Sequence, residues 1–566
     1  MTKFDLFLYR LLRYGLLFTA FIPLVVFRNF FSPFNFGKVI VFRIILEVLL
    51  MLYVYLAAKY SELRISFFKN PIFISLTAYT VFYALSSFLG VDWHQSFWGY
   101  WERMGGLFTW LHYYVFLVIL VAIFKTKEDW LAILWLSVIA AVVSTFYGFF
   151  QKFSVDAVLG ASGRLRIFGT LGNPAAFAGY LLFNFYFALY LLKQYSNKKI
   201  RIFLISSVVL FLAAIFMTVV RGAALALIVS VLIYLFLERK RLFKLTDKKL
   251  FFSSIISLTV VFFFLLPHLS QYRPIERLTN FSLNQPTVQQ RITVWKVAWQ
   301  GIKERPFLGG GPENFSIVFS EHYNSKILSF GEEVFDRAHN LIFDILAGQG
   351  FLGLLWWLVL IVCLFRVFIK SKNYLFCSLI VAYLIHNFFF FDLFSSYLML
   401  FILFGLGIYA DNRKENLVPN VPKPQHAFSY ISIGMLLSGF VLSVALVFYA
   451  NIKPALANFY STRGYTLLFK GEGNQGLDYF SKALGNAFWS QNDIYKKLSE
   501  SYIDFIYNKP QFLKDEAKEF RIKMLTDMVS WFKKRNQAEN LDYVEPLYLY
   551  RTYRAHTLFV DSSPEN

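Results

Sequence analysis

Apolar residues fall in long blocks along this chain, and polar residues fall mostly in the short stretches between them. A helix needs about 20 mostly apolar residues to cross a bilayer. On that measure the pattern predicts thirteen spans, at roughly 11–27, 39–57, 71–90, 107–124, 129–150, 172–192, 201–219, 221–237, 249–266, 350–369, 374–393, 395–410 and 428–450. No small-residue cleavage site follows the first block, so it is expected to be retained as a span rather than removed as a signal peptide. Two polar regions are long: 267–338 and 451–566. Within the first, Val288–Lys303 has helical spacing, with Val294, Val297, Ala298 and Ile302 on its apolar side. It stops before Pro306 and the Gly309-Gly310-Gly311 turn.

The composition agrees. Of 566 residues, 57% are hydrophobic and 16% charged, against about 25% charged in a typical soluble domain. An ordinary soluble enzyme and a disordered chain are both excluded. Lysines and arginines concentrate on alternate loops, as in Lys193-Lys198-Lys199-Arg201 and Arg239-Lys240-Arg241-Lys244-Lys248-Lys249. Positive residues mark the cytoplasmic side, so the N-terminus is expected inside and, after thirteen spans, the C-terminus outside. Most of the net charge of +21 is then a topology signal and a contact for anionic lipid, and no nucleic-acid partner is implied. Cys363 and Cys377 lie in apolar stretches and form no metal-ligand spacing.

On this topology both long polar regions face outward. Residues 1–450 form a transmembrane domain containing the 267–338 loop. Residues 451–566 hold 16 basic and 14 acidic side chains and read as a soluble helical domain. Gly464, Leu467, Gly476, Phe480 and Ala483 have the offsets of one tetratricopeptide-like repeat, and Tyr495–Ile506 could begin another. Two readings stand: helices that cap the membrane domain, or a repeat that docks a protein partner.

Polar residues at membrane depth are costly, so those in the outward segments are the candidates for chemistry. Arg221 stands where two apolar blocks meet. It either snorkels to headgroup phosphates or forms an anion site at a helix start. Arg164 and Arg166 lie in a glycine-bearing turn that leads to Asn173-Pro174, a helix entry. Arg291 begins the amphipathic stretch, and Glu313 and Asn314 follow the glycine turn. Asp336-Arg337-Ala338-His339-Asn340 precedes the tenth span. Arg103 lies among the aromatic residues of Ser96–Gly106, which also suit an interfacial belt. His386-Asn387 reads as an interhelical hydrogen-bonding pair, and Arg43 with Glu47 as a self-satisfied pair one turn apart.

Taken together, Arg164, Arg166, Arg221, Arg291 and His339 are scattered in sequence yet predicted at one membrane face. Transfer from a pyrophosphate-linked lipid needs such a set: arginine forks for charge on the leaving diphosphate, and an imidazole to accept the acceptor's proton. The outward loops carry no Asp-X-Asp motif, so metal-independent chemistry is expected, with no cofactor.

These stretches resemble the O-antigen ligase and polymerase superfamily of polytopic bacterial membrane proteins. The matching strings are Ser96–Gly106, Phe168 to Pro174, Arg221-Gly222-Ala223, Arg291 to Trp295 with Pro306 to Phe315, and Ala338-His339-Asn340 with Gly348–Gly353. The resemblance covers roughly residues 70–410. It implies an all-α, C-type glycosyltransferase-like fold in the bacterial inner membrane. It also implies transfer of a preassembled glycan from undecaprenyl pyrophosphate to an acceptor hydroxyl at the outer face. It assigns catalysis to His339, Arg221 and Arg291 and pyrophosphate binding to Arg221, Arg291, Arg164, Arg166 and Arg103. Asn173, Asn340 and Glu313 are expected to support the site. The thirteenth span and the C-terminal domain depart from the shorter ligases, which leaves open a lipid, glycan or protein acceptor. Rival readings are a polysaccharide polymerase, a protein O-oligosaccharyltransferase and a lipid-linked glycan transporter. A transporter should gather its polar residues near the membrane midplane, often with internal repeats.

Overall fold

The computed structural model describes residues 1–153, 166–242, 282, 284–330, 335–412 and 429–508, together with 526, 529, 530 and 533. Among these residues the protein is helical and has no strand. The first nine helices are α1 (Lys3–Phe18), α2 (Phe36–Lys59), α3 (Pro71–Leu89), α4 (Trp93–Trp98), α5 (Leu107–Ile123), α6 (Lys127–Phe153), α7 (Pro174–Gln194), α8 (Lys198–Met217) and α9 (Arg221–Leu237). The helices α10 (Pro286–Glu304) and α11 (Phe315–Glu321) follow. Then come α12 (Leu341–Lys370), α13 (Tyr374–Asn387), α14 (Phe394–Asn412), α15 (Ser429–Ala445), α16 (Lys453–Lys470), α17 (Gly473–Asn486) and α18 (Gln491–Asn508).

Among the described residues, nine helices are long and apolar enough to cross a membrane, and three more apolar helices are shorter. These twelve coincide with twelve of the predicted blocks. The remaining block, 249–266, lies outside the described residues, as do Arg164 and the chain from 534 onward. The protein is a polytopic membrane protein.

Local chemistry explains where several helices begin. Asn70 and Asn173 each precede a proline and accept from backbone N–H groups of the first turn. The Asn173 side chain takes those of Ala175 and Ala176, at 2.8 and 3.3 Å. Such caps satisfy donors that the helix itself cannot. α1 begins eight residues earlier than its apolar block because Asp5 is buried there. Tyr55, Tyr60 and Lys59 donate to its carboxylate at 2.7–2.8 Å.

α12 departs most from expectation. The hydropathy pattern places the tenth span at 350–369, yet the helix starts at Leu341 and kinks at Gly350, whose φ is +64°. The kink receives a backbone strap. Gly310 and Gly311 donate to the carbonyls of Ala347 and Gly348 at 2.7 and 3.0 Å, and Phe351 donates to that of Pro306 at 2.7 Å. A Cβ on Gly350 would lie 2.3 Å from the Phe307 carbonyl, so only glycine permits this approach. The glycines of the two motifs are thus partners in one joint, which anchors the segment before α11 to a span.

Two polar pairs differ from the sequence reading. Arg43 does not pair with Glu47. Its Nε donates to the Thr109 hydroxyl at 3.1 Å and its guanidinium lies over Phe108, whereas Glu47 accepts from Asn451 and meets His112. Asn387 turns to Asp392 in the following loop at 2.9 Å, and His386 packs on Gly179. Neither pair forms as expected: Thr109, distant in sequence, takes Arg43, and Asp392, five residues on, takes Asn387.

α15 runs through a π-helical turn at Leu446–Ile452 into α16. α16 and α17 form an antiparallel pair crossing at two glycines: a Cβ on Gly464 would lie 2.7 Å from the Phe480 ring and 2.8 Å from the Gly476 carbonyl. Leu477, Phe480 and Ala483 are fully buried in this pair.

Candidate active site

α10 packs on the start of α12, and Gln285 just before it bonds the corner between α8 and α9. Trp295 of α10 donates to the Ala338 carbonyl at 2.9 Å and stacks on Phe343. Asn340 caps α12, accepting from Ile342 and Phe343 at 2.9 and 3.2 Å. Its amide also donates to the Phe388 carbonyl at 3.0 Å. Asn340 therefore joins the His339 turn to the loop that carries Phe391.

His339 sits at the centre of this corner. Its ring meets Phe391 edge-on at 5.1 Å and Phe335 at 5.9 Å. Nδ1 lies 3.2 Å from the Arg337 carbonyl. A carbonyl only accepts, so the neutral ring carries its proton on Nδ1 and leaves a lone pair on Nε2. Burial holds the imidazole below the ordinary histidine pKa. The Arg291 and Arg103 charges push the same way, against the Arg337 carbonyl and the Asp336 carboxylate. The ring is consequently neutral near pH 7, as a proton acceptor must be.

The same electrostatics show that Arg291 and Arg103 lie within reach of His339. Burial also lowers the Arg291 pKa. Arg221 opens α9 and donates to the Gln285 side chain at 2.7 Å. Gln285 is the residue before α10, which carries Arg291. Arg166 donates to the Thr218 carbonyl at 2.9 Å, three residues before Arg221. Arg166, Arg221 and the start of α10 thus lie along one run of hydrogen bonds, and Arg291 and Arg103 act on His339 electrostatically, while Arg164 falls outside the described residues.

These arginines are not electrostatically alike. Arg103 forms an ion pair with Asp336, and Arg337 forms one with Glu313. Both guanidinium groups also lie over the Phe391 ring, at 5.1 and 5.8 Å. Glu313 is nearly fully buried, accepts from the Tyr100 N–H at 3.3 Å, and its carbonyl accepts from Gln95 at 2.6 Å. Arg221 bonds the neutral amide of Gln285, and Arg291 has no ion-pair partner among the described residues. Among the described residues no carboxylate pairs with Arg291, so an arriving anion would meet its charge there.

Backbone strain gathers here as well. Five non-glycine residues among those described have positive φ: Met104, Val219, Glu313, His339 and Lys372. Four of them adjoin or belong to this cluster. Each such residue costs on the order of 1–3 kcal/mol and persists where its surroundings over-determine it, often at a functional site.

The sequence reading did not single out Arg337, Asp336 or Phe391. The first two stand beside His339 in the same string, and acid next to base in a loop is the available signal. Phe391 closes a phenylalanine run that reads as membrane core, and nothing local distinguishes it. The one potential metal-ligating group among the described residues, Glu304, Glu321 and His322, joins the C-terminal ends of α10 and α11. It lies about 20 Å along α10 from Arg291.

A family model described as O-antigen ligase matches residues 206–358. That span contains Arg221, Arg291, Glu313, Arg337, His339 and Asn340, and excludes Arg103 and Arg166. No curated protein matches the chain.

Proposed function

From the O-antigen ligase family domain that this membrane protein carries, we propose that it transfers a preassembled glycan from undecaprenyl pyrophosphate to an acceptor hydroxyl at the outer face of the bacterial inner membrane. Arg221 and Arg291 grip the diphosphate. The acceptor oxygen attacks the anomeric carbon as the bond from that carbon to the phosphate oxygen breaks. Polyprenyl pyrophosphate leaves with the bonding electrons, and the acceptor proton passes to Nε2 of His339. Attack opposite the leaving group inverts the anomeric centre.

The observation that carries this reading is a part-buried, neutral imidazole within electrostatic reach of Arg291, an arginine with no carboxylate partner among the described residues. Arginine suits the diphosphate because its planar fork bonds two oxygens at once. Arg103, held by Asp336, and Arg337, held by Glu313, act as positioning residues that brace the wall behind Phe391. Arg166 supports the corner from which Arg221 projects, and Asn173 and Asn340 serve as helix caps. No step in this scheme requires a metal.

In membrane terms the N-terminus lies in the cytoplasm and the C-terminus outside. The bilayer, the lipid-linked donor and the acceptor are the partners, and the C-terminal helices are available to a protein. Transport is disfavoured because the candidate cations gather at one corner instead of lining a path through the bundle.

Reconstitution with a radiolabelled lipid-pyrophosphate glycan and candidate acceptors tests the reading. Label should move to an acceptor in the wild type and stay on the donor in His339→Ala, with equal protein in the membrane. Full turnover in that variant removes the base assignment. Removing residues 455–566 separates catalysis from docking: transfer that survives intact assigns those residues a role outside the reaction.

A further inference from the structure

We infer that Asp344 is a positioning residue for His339 and acts through the single peptide group between Arg337 and Ala338. The carboxylate holds one end of that peptide and the imidazole bonds the other. This rests on the transfer reading above and names the group that orients its base.

His339 stands just before the cap of α12, with φ at +53°. Left-handed backbone is strained for any residue but glycine, so neighbouring contacts must hold it. After His339, Asn340 does so by capping α12 and bonding the Phe388 carbonyl. Before it, the contacts converge on Ala338. Trp295 donates to the Ala338 carbonyl at 2.9 Å, and the Ala338 N–H donates to Oδ1 of Asp344 at 2.7 Å.

The second of these bonds reaches the ring. The Ala338 N–H and the Arg337 carbonyl belong to one trans peptide group and point in opposite directions. Asp344 accepts from the N–H end, and the carbonyl end accepts from Nδ1–H of His339 at 3.2 Å. A planar peptide turns as one body, so fixing its N–H fixes the direction of its carbonyl. The carbonyl in turn selects the tautomer that leaves Nε2 free and sets the plane of the ring. A carboxylate at the N–H end also polarises the peptide, which strengthens the bond at the carbonyl end. Carboxylate, peptide and imidazole in this order give the ring what a directly bonded acid gives it in a hydrolytic triad. The ring gains orientation, and a negative charge stands behind the imidazolium as it forms.

The helix itself does not need Asp344. Its first free N–H groups, those of Ile342 and Phe343, are already taken by the Asn340 side chain at 2.9 and 3.2 Å. An acid in a first turn gains from the helix dipole while remaining in water. Oδ2 of Asp344 is instead buried without a hydrogen-bond partner among the described residues, and Asp344 borders a small chamber with Arg337 and Gln349. Burying a carboxylate oxygen unbonded is costly. The Arg337 charge lies within electrostatic reach and offsets part of that cost. The structure tolerates the remainder while Oδ1 is delivered to Ala338.

The test measures kcat and donor KM for the full chain in the radiolabelled transfer assay, at equal folded protein. Asp344→Ala should lower kcat about 10²-fold, the cost of misplacing a reacting group by about 1 Å, with donor KM kept within about twofold. Asp344→Asn retains an acceptor oxygen but not the charge. It should lower kcat about tenfold, and it carries the test should the alanine variant misfold. A role confined to stability would lower Tm and the yield of folded protein and leave kcat unchanged. Because Asp344 acts through His339, adding Asp344→Ala or Asp344→Asn to His339→Ala should slow the residual rate no further. A further fall by the same factor overturns the proposal, as does wild-type kcat in the Asp344 variants. Failure of the transfer reading looks different, because His339→Ala itself would then turn over at the wild-type rate.

Discussion

Two groups of basic residues occupy this protein in opposite ways. Around residues 193–201 and 239–242 the cations are spread over exposed helix ends. The Arg241 side chain is 75% exposed, and Arg201 bonds the backbone carbonyls of Leu192 and Tyr195. At the corner around His339, Arg103 and Arg337 are only 18% exposed and bound to carboxylates, and Arg291 is desolvated. The first group changes little in energy whether or not an anion is present, because water screens it. The second sits where water is scarce, so each charge must be paired or must have a purpose. Number of cations and their usefulness are therefore separate quantities, and burial divides them.

The sharpest way to break this contrast is His339→Ala, which should lower transfer by about 10²–10⁴-fold, the usual worth of a general base. Arg291→Lys and Arg221→Lys should each cost about 10²–10³-fold in turnover, because a point charge cannot reproduce the bidentate fork. Wild-type rates there would return both residues to the screened group. Glu313→Gln leaves Arg337 without its carboxylate. It should lower stability by about 3 kcal/mol, read as a fall in Tm, and should reduce transfer as the Phe391 wall loosens.

The pH profile gives a smaller but more specific effect. The His339 pKa is lowered, so its neutral form persists below the ordinary value and the acid limb of transfer should fall below about pH 6.5. Arg291 is one cause of that lowering. Arg291→Gln should move the limb upward, even as the rate falls. A downward or absent movement would contradict their proximity. Smallest of all, Arg241→Gln should leave transfer unchanged and shift stability by less than about 0.5 kcal/mol.

Much of the scaffold was legible because each span is a local fact. Apolar blocks predicted twelve helices that are present, and the Asn173-Pro174 pair marked the start of one of them. The kinked start of α12 was not legible. It depends on Pro306–Gly311 bonding to Ala347–Phe351, of which the first reads as an ordinary glycine turn and the second as the edge of a span. The site divided in the same way. His339, Arg221 and Arg291 could be nominated because cations and an imidazole are conspicuous beside apolar spans. That Arg103 is committed to Asp336, 233 positions away, could not be foreseen, and it separates the bracing arginines from Arg291.

The sequence by itself determined a membrane-embedded helical protein, the segments that carry its conspicuous charges, and the family likeness of its middle region. These follow from composition and short-range periodicity, which hydrophobic burial enforces residue by residue. Only tertiary structure decided which charges neutralise one another and where the backbone is strained. Those properties depend on helices meeting across hundreds of residues, and packing geometry, unlike hydropathy, has no local signature in the chain.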